Sequence, residues 1–503
     1  MRRAVHLTVF LLLTTAVCRA QVGPKEFKGQ ARLTSHRALK QQLQALASRS
    51  KILRLEEIGK SVLGRELFLA KFSLHNPIPQ RGRKKPLVFI YAQQHGNEPS
   101  GKEAALLLCR EFAQGKHNDL LKRVDVMIVP QVNPDGSEKG VRRNANNADL
   151  NRSHILLDQP ETAALHAVFR RYLPEVTLDV HEYNDYQRSR VWAGFVRAID
   201  ENLGALTNPN FSPALKRFAV DTIMQETGAL VRKNGFTFHR YLVGGPPEQR
   251  RFRYSTAAIN DGRNSMGAYH SLSFILEGRR YGDLTTKLAH RTQAQRAAIL
   301  GFIRSVARHP DRILSLVWQE RRVLLQGNRK LPDIAPRSFY RPVAGVSLPL
   351  KIQFVKTGAV VDTVFHNFTP QLYVPFLIER PLGYLIPLRL TAWLDVLKRH
   401  GVKLESRFPA PKCLVGEYRV ESLGLYESEE KTYLDVGVSQ SYRLLSPDPG
   451  KYVYVPLTQL ANHFICLILE PESQNALVQY PDFRDVLKLG AGYPILRVLE
   501  WRK

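Results

Sequence analysis

Cysteine is scarce in this chain: Cys18, Cys109, Cys413 and Cys466 are the only four in 503 residues. No two stand at metal-binding spacing, which excludes a cysteine zinc site and the dense disulfide framework of a small secreted scaffold. Acidic residues are also in deficit, 45 against 73 Lys and Arg, for a formal net charge of +28. A field of that sign favours anionic partners, among them anionic cell-wall material. The basic residues are scattered, as in the stretch 81–85, Arg250-Arg251 and Arg321-Arg322. They come with no helix-turn-helix, zinc-finger or aromatic RNA-binding pattern, so the charge reads as a solvated surface and nucleic-acid binding is not expected. Long apolar runs are missing too. After the N-terminal segment no stretch approaches the roughly 18 unbroken apolar residues of a membrane span, and no stable span is expected.

What is present is an ordinary globular composition, 44% hydrophobic and 23% charged, with length enough for more than one domain. Arg2 and Arg3 precede an apolar run from 4 to 17, and Cys18-Arg19-Ala20 supplies small residues at cleavage positions. Residues 1–20 therefore read as a signal peptide cut after Ala20, with the mature chain exported to the periplasm or beyond; an uncleaved anchor is the alternative. Export permits disulfides. Cys413 and Cys466 are the pair to consider, while Cys109 reads as a small core residue.

Helical spacing at Leu39, Leu43 and Leu46 is followed by two short strands within 53–72, around a turn at Gly64-Arg65. From 86 to 308 strands alternate with helices. Strands are expected at 86–91, 124–129, 176–180 and 271–276, and helices at 101–112, 161–172 and 292–308. This alternation predicts an α/β domain with a mixed, largely parallel sheet flanked by helices. Beyond 311 the texture changes to short apolar runs with Pro and Gly between them, apart from a helical stretch at 388–400. The look-alike runs 384–387 and 452–456 suggest equivalent strands of a smaller β-rich domain over 330–503, whose role is not readable.

Chemistry gathers at the strand ends. His95-Gly96-Asn97-Glu98 follows the strand 86–91, and a His and a Glu three apart can both face one metal ion. Catalytic zinc usually takes three protein ligands and a water, so a third must come from elsewhere. In open α/β sheets, ligands bind at the carboxyl ends of strands. The strand 176–180 ends in His181-Glu182-Tyr183-Asn184, which supplies the third ligand. The strand 271–276 ends in Glu277-Gly278-Arg279, a carboxylate placed to act as general base. The strand 124–129 leads into the turn sequence Asn133-Pro134-Asp135-Gly136, and then to arginines suited to a carboxylate or an oxyanion.

Five segments in this order, 95–98, 133–136, 142–152 (RRNANNADLNR), 179–184 and 273–279, make residues 25–308 resemble the zinc carboxypeptidases, the carboxypeptidase A-like metallopeptidases. The resemblance implies one Zn2+ per chain, held by His95, Glu98 and His181, with Asp149 orienting the first histidine. It implies Glu277 as the carboxylate that activates water, and Arg142, with Arg143 as the alternative, as the group polarising the scissile carbonyl. It implies Asn151 and Arg152 as the grip on the substrate's terminal carboxylate. Tyr254, with Tyr269 as the alternative, answers to the family's mobile tyrosine. The segment 254–268 would line the side-chain pocket, with Arg263 and nearby Arg250, Arg251 and Arg253 either serving an acidic group or simply solvated or paired. Where the digestive enzymes carry Ser-Tyr after the third ligand, this chain has Glu182-Tyr183. The function implied is that of a secreted bacterial zinc metallopeptidase acting on peptides with a free C-terminal carboxylate. The alternatives are a murein stem-peptide peptidase, a deacylase of acylated amino acids, and a catalytically silent binding module.

Overall fold

The computed structural model describes residues 32–75, 77–79, 82–186, 194–245, 251–326 and 331–503. The signal-peptide reading of 1–20, and the basic residues Arg81 and Arg250, lie outside them.

The chain enters through helix α1 (His36–Arg49), capped by the Ser35 hydroxyl and buried through Leu39 and Leu43. Hairpin strands β1 (Leu53–Lys60) and β2 (Glu66–Phe72) follow. Then come β3 (Leu87–Ala92), helix α2 (Pro99–Ala113) and β4 (Asp125–Val129). After short helix α3 (Pro134–Lys139) and α4 (Pro160–Tyr172) the sheet continues with β5 (Val176–Tyr183), β6 (Glu201–Gly204) and β7 (Phe238–Arg240). Helix α5 (Gly262–Gly267) leads to β8 (Leu272–Arg279), and α6 (Leu288–Arg308) and α7 (Pro310–Gln326) close the segment.

The eight strands form one sheet in the order β1-β2-β4-β3-β5-β8-β6-β7. Its centre, β4-β3-β5-β8, is parallel throughout. Every residue of β3, β4, β5 and β8 is buried, as expected of parallel strands covered on both faces. The four strands whose ends were singled out in the sequence are thus immediate neighbours.

Several boundaries differ from the sequence reading. Strands β5 and β8 do not stop at 180 and 276; they pair on to Arg279↔Tyr183, so His181 and Glu277 sit inside strands. The sequence Asn133-Pro134-Asp135-Gly136 starts helix α3, in which Asn133 accepts from Gly136 N at 2.8 Å and Pro134 occupies the first turn. Asn before Pro is a helix-start signal as much as a turn signal. Helical structure also runs past 311, through α7.

The C-terminal region holds a five-stranded antiparallel sheet built on a long hairpin, β9 (Lys412–Ser428) and β10 (Lys431–Leu445). The look-alike runs are adjacent strands in it, Gly383–Pro387 against Tyr452–Pro456. This region joins the preceding one by strand pairing: Leu348–Phe354 pairs with Phe195–Arg197, and Phe368–Thr369 with Phe252–Tyr254. A shared apolar cluster runs from Leu39 to Ile495. Cys413 and Cys466 belong to different clusters and both are free thiols, so the pairing considered for them is not formed.

Candidate active site

Two of the metal-binding candidates are set by a tight turn, and the third, His181, by strand β5. After β3 the backbone turns through Gln93, with φ of 60°, and delivers His95 and Glu98 to the start of α2. Gly96 donates to Arg142 O at 3.2 Å, and a Cβ on Gly96 would meet the Gly136 carbonyl carbon at 2.1 Å. The glycines of the two motifs therefore let the loops after β3 and β4 touch. Glu98 stands at the N-cap of α2 but does not cap it; its carboxylate turns to the histidines instead.

Those groups converge. Glu98 Oε1 is 2.8 Å from His95 Nδ1, Glu98 Oε2 is 2.9 Å from His181 Nδ1, and the two Nδ1 atoms are 3.1 Å apart. All three residues are buried. Behind them, His95 Nε2 is 3.0 Å from Asp149 Oδ1 and His181 Nε2 is 2.9 Å from Asp179 Oδ1. Carboxylates on the rear nitrogens fix the tautomers, so both Nδ1 lone pairs face inward beside one carboxylate. Two imidazole nitrogens and one carboxylate oxygen, backed in this way, suit zinc and leave a fourth position open. Among the described residues, no other group of three or more histidine, cysteine or acidic side chains could hold a metal.

Glu277 is opposite His181 in the parallel β5–β8 pair, so the two side chains share a face of the sheet. Burial raises the Glu277 carboxyl above the usual carboxylate range, and Glu98 adds to this, against the pull of His181, the Tyr241 hydroxyl and His95. Arg142 donates from Nε to Asp149 Oδ2 at 3.0 Å, and its Nη1 is 3.5 Å from Glu98 Oε1. Its side chain keeps 41% of its surface open, unlike the ligand candidates. Burial resists ionisation of Asp149, but His95 and Arg142 hold its carboxyl far below the ordinary range.

His95, Glu98, Arg142 and Glu277 line a cleft of about 860 Å³ with Asn151, Arg152, Arg197, Tyr241, Arg253, Asp261 and residues 429–431 of the C-terminal hairpin. Arg152 donates to Asn151 O at 2.6 Å. Asn151 is largely committed to the interior: its Oδ1 accepts from Gly262 N at 2.8 Å and its Nδ2 is 3.2 Å from His181 Nε2.

Two expected tyrosines are not brought to the cluster. Tyr254 lies under the Arg240 guanidinium, 3.5 Å from its ring centre, with its edge to Phe368. Tyr269 is buried with its hydroxyl 2.9 Å from His400 Nδ1. The tyrosine that reaches Glu277 is Tyr241, just after β7, for which the sequence offered no signal. Asp179 also went unassigned, although period-two alternation in β5 places it on the face of His181. Arg263 is paired to Asp261 at 3.0 Å and Arg253 to Glu430 at 3.1 Å. The departure at Glu182 is a buried ion pair, 2.6 Å from Arg291 Nη2 of α6.

Residues 39–159 match the zinc carboxypeptidase family model. Carboxypeptidase 2 of Trichophyton rubrum is 24% identical over 448 residues, 85% of this chain and 78% of that protein. Carboxypeptidase SOL1 of Arabidopsis thaliana is 34% identical over 146 residues, 26% of this chain and 29% of that protein. Among solved structures, a metallo-carboxypeptidase from Burkholderia cenocepacia aligns with a TM-score of 0.42 at 19% identity, covering 54% of this chain and 68% of that one.

Proposed function

We propose, for a chain that belongs to the zinc carboxypeptidase family, that it removes single C-terminal residues from peptides by a water attack assisted by Glu277. The observation that carries this reading is the register of β5 and β8. It sets Glu277 opposite His181, at the edge of a buried two-histidine, one-carboxylate cluster.

In this reading His95, Glu98 and His181 hold the metal. Zinc bound there supplies Lewis-acid polarisation of a carbonyl and acidifies a water. Glu277 takes the proton from the attacking water and returns it to the leaving amine. Arg142, fixed by Asp149 with its outer surface open to the cleft, donates to the developing oxyanion. Arg152 is the cation for the substrate's terminal carboxylate. Asn151, which lines the cleft beside Arg152, is the second group of that grip, and its Oδ1 holds the Gly262 backbone in place. Export, read from residues 1–20, is part of the same proposal, and among the described residues no helix is long and apolar enough to cross a membrane.

The test uses the chain from Gln21, zinc-loaded, with peptides paired as free acids and C-terminal amides, read by mass spectrometry with and without a chelator. Chelator-sensitive loss of single residues from the free acids alone is the expected result. Internal cleavage, or equal cleavage of amides, overturns the reading. No trimming of any peptide does so too, and directs the same assay to murein fragments and acyl-amino acids.

A further inference from the structure

The β9–β10 hairpin turns at Glu429 and Glu430, whose φ values of 52° and 59° lie in the left-handed region. Residues other than glycine hold that conformation where their surroundings fix it. Here they do: Glu429 accepts from Ala257 N at 2.8 Å and from the Thr256 hydroxyl. Arg253 Nη2 donates to Glu430 Oε2 at 3.1 Å and to Glu429 O at 3.4 Å. The tip of a hairpin more than 150 residues downstream is thereby pinned to the 253–257 wall of the catalytic cleft.

The next residue, Lys431, lines that cleft together with Arg142, Arg152 and Glu277. Its ammonium has no hydrogen bond or ion pair among the described residues. The anions around it are already engaged. Glu429 is taken up as above; Asp261 caps α5 through Asn264 N at 2.6 Å and pairs with Arg263. Of the other cations on this wall, Arg253 is neutralised by Glu430. Arg152, which among the described residues donates to its neighbour's carbonyl alone, is another cation open to the cleft. Burial pushes the Lys431 ammonium down and Arg152 pushes it the same way, with Glu429 and Asp261 opposing. Two like charges facing a substrate cleft, neither of them in an ion pair among the described residues, form a site for two negative charges.

Building on the exopeptidase reading, we propose that Lys431 is a specificity-determining residue that selects substrates whose C-terminal residue carries a second carboxylate, an aspartyl or glutamyl side chain. Arg152 receives the α-carboxylate and Lys431 the side-chain carboxylate. The C-terminal region thus completes the substrate pocket of the catalytic one.

The test compares kcat/KM for free-acid peptides differing only in a terminal Glu, Gln or Lys. Wild type favours Glu over Gln by about tenfold or more, the share of one charge-assisted hydrogen bond. Lys431→Ala lowers that ratio about tenfold, chiefly through KM; Lys431→Arg retains it; Lys431→Glu moves preference toward terminal Lys. A wild-type ratio near one, or a ratio unmoved by Lys431→Ala, overturns the proposal. Continued cleavage of the Gln peptide by the variant shows that it is folded. If wild type trims no peptide, the exopeptidase reading has failed separately, and calorimetric binding of N-acetylglutamate against N-acetylglutamine decides on Lys431. Equal binding of the two by wild type overturns the proposal in that arm.

Discussion

Asp179 and His181 stand two residues apart on one face of β5, with Oδ1 2.9 Å from Nε2. The pairing leaves Nδ1 as the nitrogen aimed at Glu98 and His95. Asp179→Asn keeps the shape but replaces an anionic acceptor with an amide that can donate instead, so the preferred tautomer is lost. The expected result is zinc affinity lower by about 10–100-fold, measured by chelator competition. Affinity equal to wild type would show that Asp179 does not orient this ligand.

Glu277 lies beside the ligand set without being part of it. Glu277→Gln removes the proton acceptor and preserves volume and the strand register with His181. Turnover should fall by about 10²–10⁴-fold while zinc stoichiometry stays unchanged. Substantial residual activity in zinc-loaded variant would remove Glu277 from the role of base.

The chain's departure at Glu182 has a structural cost if undone. Glu182 accepts from Arg291 Nε at 2.9 Å and Nη2 at 2.6 Å, and both side chains are sealed from solvent. Removing one partner leaves the other charge buried without its counter-ion, a loss of about 3–5 kcal/mol. Arg291→Ala should therefore show that drop in denaturant unfolding. A change under about 1 kcal/mol would mean that water reaches Glu182.

The parallel core was legible because β3, β4 and β8 are short apolar runs between helical patterns, and their ends carry His95, Glu98 and Glu277 within a few residues. Asp149 was reachable only through the family motif, since its spacing from His95 is a matter of loop path. Tyr241 and Lys431 had no such handle. Tyr241 follows a three-residue strand with little pattern of its own, and Lys431 arrives by a tertiary contact between a distant hairpin and the 253–257 segment. The resemblance that points to Tyr254 does not fix which way its side chain packs. Here Arg240 and Phe368 claim it.

Buried histidines give the fold a pH dependence separate from catalysis. Burial lowers His154 and His270 to about 4 and His400 to about 3, and takes His166 and His463 well below the usual 6.5. Between about pH 6.5 and 4 the unfolded chain binds protons at these sites and the folded chain does not. Stability is therefore fully present above 6.5 and is lost as pH falls through that window, at about 1.4 kcal/mol per pH unit for each such group. Carboxylates held low, such as Glu66 at about 2, add their loss from about 4.5 downward. His463 packs at a tilt against His270 with ring centres 4.7 Å apart, and its Nδ1 has no partner among the described residues. His463→Phe keeps the aromatic contact and deletes one proton site. Its unfolding free energy, followed by denaturant titration from pH 6.5 to 5, should fall less steeply than that of wild type by about 1.4 kcal/mol per pH unit. Parallel slopes would mean that His463 is protonated in the folded chain and that the acid sensitivity arises elsewhere.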